Sequence, residues 1–494
     1  MNFSYETPPL GTVRDWLDFR AKDDRTAFFF TDGSEPLTWK DLRTGAMEIA
    51  QALTAHGIAK GESVAILQPN GREGVLAFYG AVYGGFRATM VNLAAGRDAI
   101  AYALEHSEAR IALVHNSVNE MYQNARPDQM QRLASFQSEE MPLHQINAAD
   151  HALLMYTSGT TGRPKGVVHT HSSLLAGGWT PAIAHHLTDQ DRALCVLPIC
   201  HINGLCVSIM GALVSGGTVV MAQKFSASQF WNQISTHEVS WFSVVPTIIS
   251  HLLHSDKNPD AKSKARLRFG RSASSPLSPD VQTAFETRFD MPIIETMGLT
   301  ETAAQILSNP LPPGTRKIGS PGIAFGNEVT ILTSDLSECA VNVEGEIAVR
   351  GPNVMLEYLR NPEATKSTFH GEWLRTGDLG RKDADGYLFV TGRLKELIIK
   401  GGENVAPREI DEALYSHSDV VEAAAFSRPC EIYGERIEAA VSVCEGSTLT
   451  EPDLISICIE KLGKFKSPDA VHFLSDLPKG PSGKIQRLKL QETL

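Results

Sequence analysis

The stretch Tyr156-Thr-Ser-Gly-Thr-Thr-Gly-Arg-Pro-Lys-Gly166 gathers glycines, hydroxyls and a lysine in the mix that binds phosphate. Gly159, Gly162 and Gly166 permit positive φ and close backbone approach. Consecutive N–H groups in such a loop line an anion-binding concavity, to which Ser158, Thr160 and Thr161 add hydroxyl donors and Lys165 a mobile charge. A Walker-type phosphate loop is excluded, because it needs a magnesium-binding hydroxyl directly after its lysine, whereas Pro164 precedes Lys165 and Gly166 follows it. On composition alone the stretch reads equally well as a flexible surface turn. Other polar residues stand in short glycine-marked segments further on: Glu301 in Met297-Gly-Leu-Thr-Glu-Thr302, Asp378 in Thr376-Gly-Asp378, Arg393 and Lys395 in Gly392-Arg-Leu-Lys-Glu396, and Lys484 in Pro481-Ser-Gly-Lys484. Taken singly, these are a capping carboxylate, a turn aspartate and surface charges.

The elements that must position them follow from hydrophobic patterning. Leu153-Leu-Met-Tyr156 is a strand that runs into the glycine-rich loop, and Ile293 to Glu295 is strand-like ahead of Glu301. Up to about residue 390, apolar β-branched runs such as Ser63-Val-Ala-Ile-Leu67 and Ala88-Thr-Met-Val91 alternate with helical patterns such as Gly71 to Tyr83. That alternation predicts an α/β protein with mostly parallel sheets. Residues 116 to 150 are polar and weakly periodic, and read as a loop-rich connection. After Gly345-Glu-Ile-Ala-Val-Arg350 the pattern turns to short strands, with a hairpin signal at Asp383-Ala-Asp-Gly386 before Tyr387-Leu-Phe-Val-Thr391. From Gly392 a smaller α+β unit begins: strand Glu396 to Ile399, helix Pro407 to Tyr415, strand Val420 to Phe426 and helix Glu451 to Leu462. The expected division is therefore 1–392 and 393–494, joined by a short connection that favours relative rotation.

Bulk composition narrows the function classes. The 494 residues are 42% hydrophobic and 21% charged, the balance of a folded globular chain rather than a disordered one. A net charge of -12 argues against a general nucleic-acid or anionic-membrane surface. Cys195, Cys200, Cys206, Cys339, Cys430, Cys444 and Cys458 are scattered without a Cys-x-x-Cys pair, as in a reducing cytosol. The group Cys195, Cys200, His201 and Cys206 fits no common zinc spacing and reads as buried thiols. The start of the chain has no apolar signal core, and Leu494 does not close a peroxisomal address, so a cytoplasmic location is expected. The uncharged stretch Ile199 to Ala222 is broken by Gly216-Gly217, which predicts a buried helix, a turn and a strand from Thr218 rather than a membrane span.

With these segments in order, the chain resembles the adenylate-forming superfamily of acyl-CoA synthetases, luciferases and peptide-synthetase adenylation domains, and the resemblance covers nearly the whole sequence. It implies a large N-terminal domain of stacked, mostly parallel sheets plus a distorted β-barrel, and a small mobile C-terminal domain. It also implies the reaction: a carboxylate oxygen attacks the α-phosphorus of ATP and releases pyrophosphate, then the CoA thiolate displaces AMP. ATP, Mg²⁺ and coenzyme A are the implied cofactors and co-substrates, with a small carboxylate as the other partner.

Residue by residue, the resemblance makes Glu301 the Mg²⁺ ligand and Thr300 a phosphate contact, and makes Thr157, Ser158, Gly159, Thr160, Thr161, Gly162 and Lys165 the phosphate loop. Thr296, Met297 and Gly298 become nucleotide contacts, and Asp378 with Arg393 the holders of the ribose hydroxyls. Lys484 becomes the adenylation lysine, acting with Thr157, Glu301 and His201. Lys395 becomes the hinge, and Lys400, Gly401 and Gly402 the loop brought in for CoA after rotation.

The acid is expected among His201, Asn203, Arg271, Ser272, Ser274, Ser275 and Gly298. A long apolar chain would leave these polar groups unpaired at about 1–3 kcal/mol each, whereas a short acid with a second polar or anionic end would use them. Arg271 to Leu277 together with Ser308-Asn-Pro-Leu-Pro312 looks like the oxalate:CoA ligase branch, and sulfoacetate or malonate satisfies the same physics. A medium-chain or aromatic acid, a carrier-protein thiol as acceptor, and a structural ion pair for Arg271 stay open as alternatives. Oligomeric state is not legible.

Overall fold

Strands buried on both faces need no alternation, and the chain builds two sheets on such runs. Ser63–Leu67 and Arg87–Met90 are buried at every position and pair in parallel. The computed structural model describes residues 3–133, 140–157, 164–480 and 483–494. One sheet has nine strands, parallel from Thr26–Phe30 across Thr218–Met221, Arg192–Cys195, Trp241–Val244 and Phe269–Ser272 to Ile293–Leu299, with antiparallel strands at both ends. The other has seven strands and runs from the edge strand Gln131–Leu133 through parallel strands to His151–Thr157, where antiparallel Lys165–Thr170 and Glu357–Tyr358 complete it.

One hydrophobic core spans both sheets and the helices between them, including Trp39, Tyr79, Leu174 and Met210. The helices have local start signals: Thr12 with Asp15, Thr38 with Asp41 and Thr170 with Ser173 each close a reciprocal capping box. In open sheets of this kind, ligands gather beyond the carboxyl ends of parallel strands. Thr157, the residues after Ser272 and the turn at Thr300–Thr302 all lie at such ends.

In the position expected for the barrel, a five-stranded antiparallel sheet is built around Trp373–Lys382, which pairs with Gly345–Arg350 on one side and Leu388–Arg393 on the other. The last part of the chain forms a separate five-stranded sheet, with Pro407–Tyr415 and Glu451–Leu462 packed over its own core of Ile410, Leu414, Ala439 and Val441. The architecture is thus a large N-terminal domain of mixed sheets and a smaller C-terminal domain.

Some elements depart from the sequence reading. Residues 116–150 hold a helix, Asn119–Ala125, and the edge strand Gln131–Leu133, whose polar side chains conceal a backbone ladder with Ile111–Val114. The strand expected at Glu396 starts at Ile398, because Glu396 N–H closes a turn onto Arg393 O at 2.9 Å. Val420–Cys430 runs past Phe426 because Gly434–Val443 pairs along its length. The uncharged stretch forms the fully buried π-helix Asn203–Met210, a short α-turn capped by Gly216 at φ 84°, and the strand Thr218–Met221. Among the described residues, no helix is long and apolar enough to cross a membrane.

Candidate functional site

Thr157 and Lys165 end one strand and begin the next, opposite each other in register, with Thr157 Oγ1 3.5 Å from Lys165 O. The expected phosphate-loop residues Ser158, Gly159, Thr160, Thr161 and Gly162 lie between them, outside the described residues. Lys165 is half-buried, its Nζ 4.0 Å from the centroid of the Tyr358 ring. Burial lowers its pKa, with Lys395 adding to the effect and Glu301 opposing it, so all three charges belong to one neighbourhood.

Glu301 sits in the 3₁₀ turn Thr300–Thr302, beyond the strand Ile293–Leu299. Its Oε1 accepts the Tyr358 hydroxyl at 2.8 Å, and Oε2 has no hydrogen-bond partner among the described residues. The turn is anchored from below: buried His169 Nε2 lies 2.7 Å from Thr300 O, with burial holding this imidazole neutral at a pKa of about 4. Gly298 is required by a close approach, since a Cβ there would lie 1.6 Å from Ala304 O. Thr296 is buried and its hydroxyl donates to Ser272 O at 3.0 Å, while Met297 is half-buried in the same strand. A single half-buried carboxylate with a free oxygen, beside a lysine, suits one ligand position on a hydrated divalent cation rather than a protein-only cage. Among the described residues no group of three or more His, Cys, Asp or Glu could hold a metal by themselves, Cys195, Cys200, His201 and Cys206 included.

Asp378 and Arg393 face each other across the hairpin Trp373–Lys382 and Leu388–Arg393, with Oδ1 and Nε 3.4 Å apart. Burial raises the Asp378 carboxyl above its ordinary range, against the pull of Arg393 and Lys484. Lys484 arrives from the other domain and is half-buried. Burial lowers its pKa, opposed first by Glu396 and further by Asp378. Its loop is tied to the large domain, for Thr247 Oγ1 donates to Gly483 O at 3.2 Å. Further along the helix Pro246–His254, Ser250 Oγ donates to Val421 O at 2.5 Å and His254 Nε2 lies 3.0 Å from Ser418 O. His251 Nε2 lies 3.4 Å from buried Glu422. The two domains therefore meet in an arrangement that brings Lys484 within electrostatic reach of Asp378 and Arg393.

Lys400, Gly401 and Gly402 are not in that group. They form the tight turn between Ile398–Lys400 and Glu403–Val405, with Gly401 at φ 60° and Gly402 at φ 85°. Val420–Cys430, which faces the large domain, lies at the opposite end of the sheet's strand order. Lys395 is exposed at the junction.

The expected acid-binding residues gather around Arg271. Arg271 as a whole is 1% exposed. Nη1 donates to Asn203 Oδ1 at 2.9 Å and Ser243 Oγ at 3.0 Å, and Nε to Gln305 Oε1 at 3.2 Å. No carboxylate reaches it among the described residues, and burial lowers its pKa to about 9. Asn203 Nδ2 donates to Ser274 Oγ at 3.2 Å, and Ser274 holds φ 75°. Ser272 Oγ and His201 Nε2 are buried with no hydrogen-bond partner among the described residues, and burial brings His201 down to about 4. Ser275 is half-buried nearby in sequence and adds no side-chain hydrogen bond among the described residues. Ser243 and Gln305 were not expected from sequence. The available signal was a polar residue inside each of the apolar runs Trp241–Val244 and 304–307. Tyr358 carried no signal beyond its aromatic ring.

Residues 17–359 match the family described as AMP-binding enzyme, and residues 409–484 match the AMP-binding enzyme C-terminal domain. The chain is 41% identical to the sulfoacetate–CoA ligase of Cupriavidus necator, over 99% of each chain. It is 36% identical to the oxalate–CoA ligase of Arabidopsis thaliana, over 87% of this chain and 88% of that one. Its fold is similar to the crystal structure of ATP-bound MatB from Rhodopseudomonas palustris, with a TM-score of 0.90 at 29% identity over 98% of each chain.

Proposed function

This chain belongs to the AMP-binding enzyme family, and we propose that it is an ATP-dependent, AMP-forming acid:CoA ligase acting on a small acid with a second anionic end. The observation that carries the choice of acid is Arg271. A buried guanidinium whose partners among the described residues are all neutral is costly unless an anion arrives to pair with it. Sulfoacetate and oxalate, the acids named for two relatives, both present an anion beyond the reacting carboxylate. Asn203, Ser243 and Gln305 aim the guanidinium, and Ser272 Oγ and His201 Nε2 remain for the rest of a short, polar substrate.

The reaction brings anions together, so its rate depends on positioning and on cationic donors at the developing charge. In the first half a carboxylate oxygen bonds to the α-phosphorus of ATP and pyrophosphate leaves. Lys484 is the cation that bridges the two reacting anions, and Asp378 with Arg393 orients the ribose from the same hairpin. Thr157 and Lys165 hold the triphosphate from the flanks of the glycine-rich loop, and Thr296, Met297, Gly298 and Thr300 line its other wall. Glu301 would hold Mg²⁺, which when bound offsets the triphosphate charge. In the second half the CoA thiolate attacks the acyl carbonyl and AMP leaves. We assign this step to a second orientation of the small domain, hinged near Lys395 with the boundary after Gly392. In that orientation the Lys400-Gly401-Gly402 turn replaces Lys484. The position of this turn, at the sheet end away from the present interface, supports that assignment. A cytoplasmic location fits seven free cysteines, several of them buried.

The test is product analysis with ATP, CoA and a panel of oxalate, sulfoacetate, malonate, acetate, benzoate and octanoate. Expected are AMP, pyrophosphate and free acyl-CoA, with the two-ended acids turned over well ahead of benzoate and octanoate. Turnover of benzoate or octanoate far above the two-ended acids would overturn the choice of acid, and ADP as product would overturn the reaction class.

A further inference from the structure

The segment 355–359 stitches together two parts of the site that are distant in sequence. Met355 N–H donates to Glu301 O at 2.7 Å, Leu356 N–H to Val168 O at 2.9 Å and Leu359 N–H to Gly166 O at 2.7 Å. One end of this strap is thus bonded to the residue expected to hold the metal, and the other to the residue after Lys165. Between them Glu357–Tyr358 pairs with Lys165–Thr170, Tyr358 standing opposite Val167. The Tyr358 side chain is 4% exposed and serves both charges, its hydroxyl donating to Glu301 Oε1 at 2.8 Å and its ring meeting Lys165 Nζ at 4.0 Å. Its own backbone is fixed by an N–H bond to Thr365 Oγ1 at 3.0 Å.

Glu301 and Lys165 are opposite charges on neighbouring elements, and a direct ion pair between them would neutralise the groups needed for metal and phosphate. From the contacts above we infer that Tyr358 is a positioning residue that keeps Glu301 and Lys165 apart. Its hydroxyl occupies one carboxylate oxygen and leaves the other for the cation. Its ring face offers the ammonium a cation–π seat that uses none of the lysine's N–H donors. The backbone bonds at the two ends of the strap set the spacing between the stations. This inference rests on the nucleotide-binding reading above and goes beyond it in naming a residue that touches neither ligand.

The experiment measures ATP binding to the full chain by calorimetry, without acid or CoA, as a function of Mg²⁺ and again in EDTA. Outer-shell partners of a metal ligand are worth about 10-fold or more in metal affinity. Tyr358→Phe is expected to raise the Mg²⁺ needed for half-maximal ATP binding about tenfold and to leave ATP affinity in EDTA unchanged. Tyr358→Leu removes the ring as well, and is expected to weaken ATP binding in EDTA about fivefold, as loss of a cation–π seat implies. In steady state Tyr358→Phe should raise KM for MgATP more than it lowers kcat. The double variant Glu301→Gln/Tyr358→Phe should need no more Mg²⁺ than Glu301→Gln alone. Wild-type Mg²⁺ dependence in Tyr358→Phe, or additive losses in the double variant, would overturn the inference. Absence of Mg²⁺-dependent ATP binding in the wild type would instead overturn the nucleotide reading beneath it.

Discussion

Asp378 and Arg393 stand directly opposite each other on adjacent antiparallel strands, 3.4 Å apart, and the raised carboxyl of Asp378 is opposed by Arg393 and by Lys484 from the other domain. The ladder between Trp373–Lys382 and Leu388–Arg393 sets the pair, so its geometry does not depend on the mobile side chains alone. Because burial outweighs both cations, the charged carboxylate is a net cost to the unliganded fold at neutral pH. The sign follows from linkage. A carboxyl whose folded pKa is raised favours the fold at low pH, and that favour is lost as pH rises through the folded value.

Asp378→Asn is therefore expected to unfold at a higher temperature than wild type at pH 7 without ligand, and to lose measurable ATP binding. Differential scanning calorimetry and an ATP titration on the same preparation check both halves. A lower unfolding temperature would contradict the burial argument.

Arg271 gives a prediction about selectivity. Arg271→Met removes the anion partner while keeping a long apolar stem. Loss of a buried charged contact is worth about 2–5 kcal/mol. The kcat/KM for the preferred two-ended acid should therefore fall at least about 30-fold. Acetate, which has no second anion, should lose much less. Equal losses for both acids would mean that Arg271 supports the fold rather than the substrate.

Glu295 should carry a visible pH signature. Its Oε1 accepts the Leu277 N–H at 3.3 Å, Oε2 is buried without a partner among the described residues, and burial pushes the carboxyl up to about 7 against the pull of Arg408. Its stabilising, protonated form is lost between the ordinary glutamate value of about 4.3 and the folded value. Glu295→Gln keeps the neutral shape, so its advantage over wild type should be absent below about pH 4 and grow to at most about 4 kcal/mol by pH 8. Urea unfolding at several pH values tests this, and pH-independent differences would contradict it.

Much of this was legible before the structure, for identifiable reasons. Gly345–Arg350, Pro407–Tyr415 and Glu451–Leu462 have strong periodicity or helix-start chemistry, and their ends agree with the reading. Asp383–Gly386 marked its hairpin through turn chemistry alone, with Asp383 Oδ1 accepting the N–H groups of Asp385 and Tyr387. The polar edge strand Gln131–Leu133 was hidden, because an edge held by backbone bonds needs no hydrophobic pattern. Arg271 and Asn203 stand out as polar groups in the expected acid pocket, whereas Ser243 and Gln305, which hold the guanidinium, lie singly within strands and carry no motif. Tyr358 was invisible because its value comes from strand pairing between residues nearly two hundred positions apart, which no local pattern records.

Lys484, delivered by the small domain, is assigned to the first half of the reaction and not to the second. Lys484→Ala should reduce acid-dependent exchange of labelled pyrophosphate into ATP by at least about 100-fold, the scale on which a preorganised cationic or oxyanion donor contributes. It should leave conversion of supplied acyl-adenylate and CoA to acyl-CoA within about threefold of wild type, because the residue touches only the first transition state. Equal loss of both half-reactions, or retention of the exchange, would contradict the account.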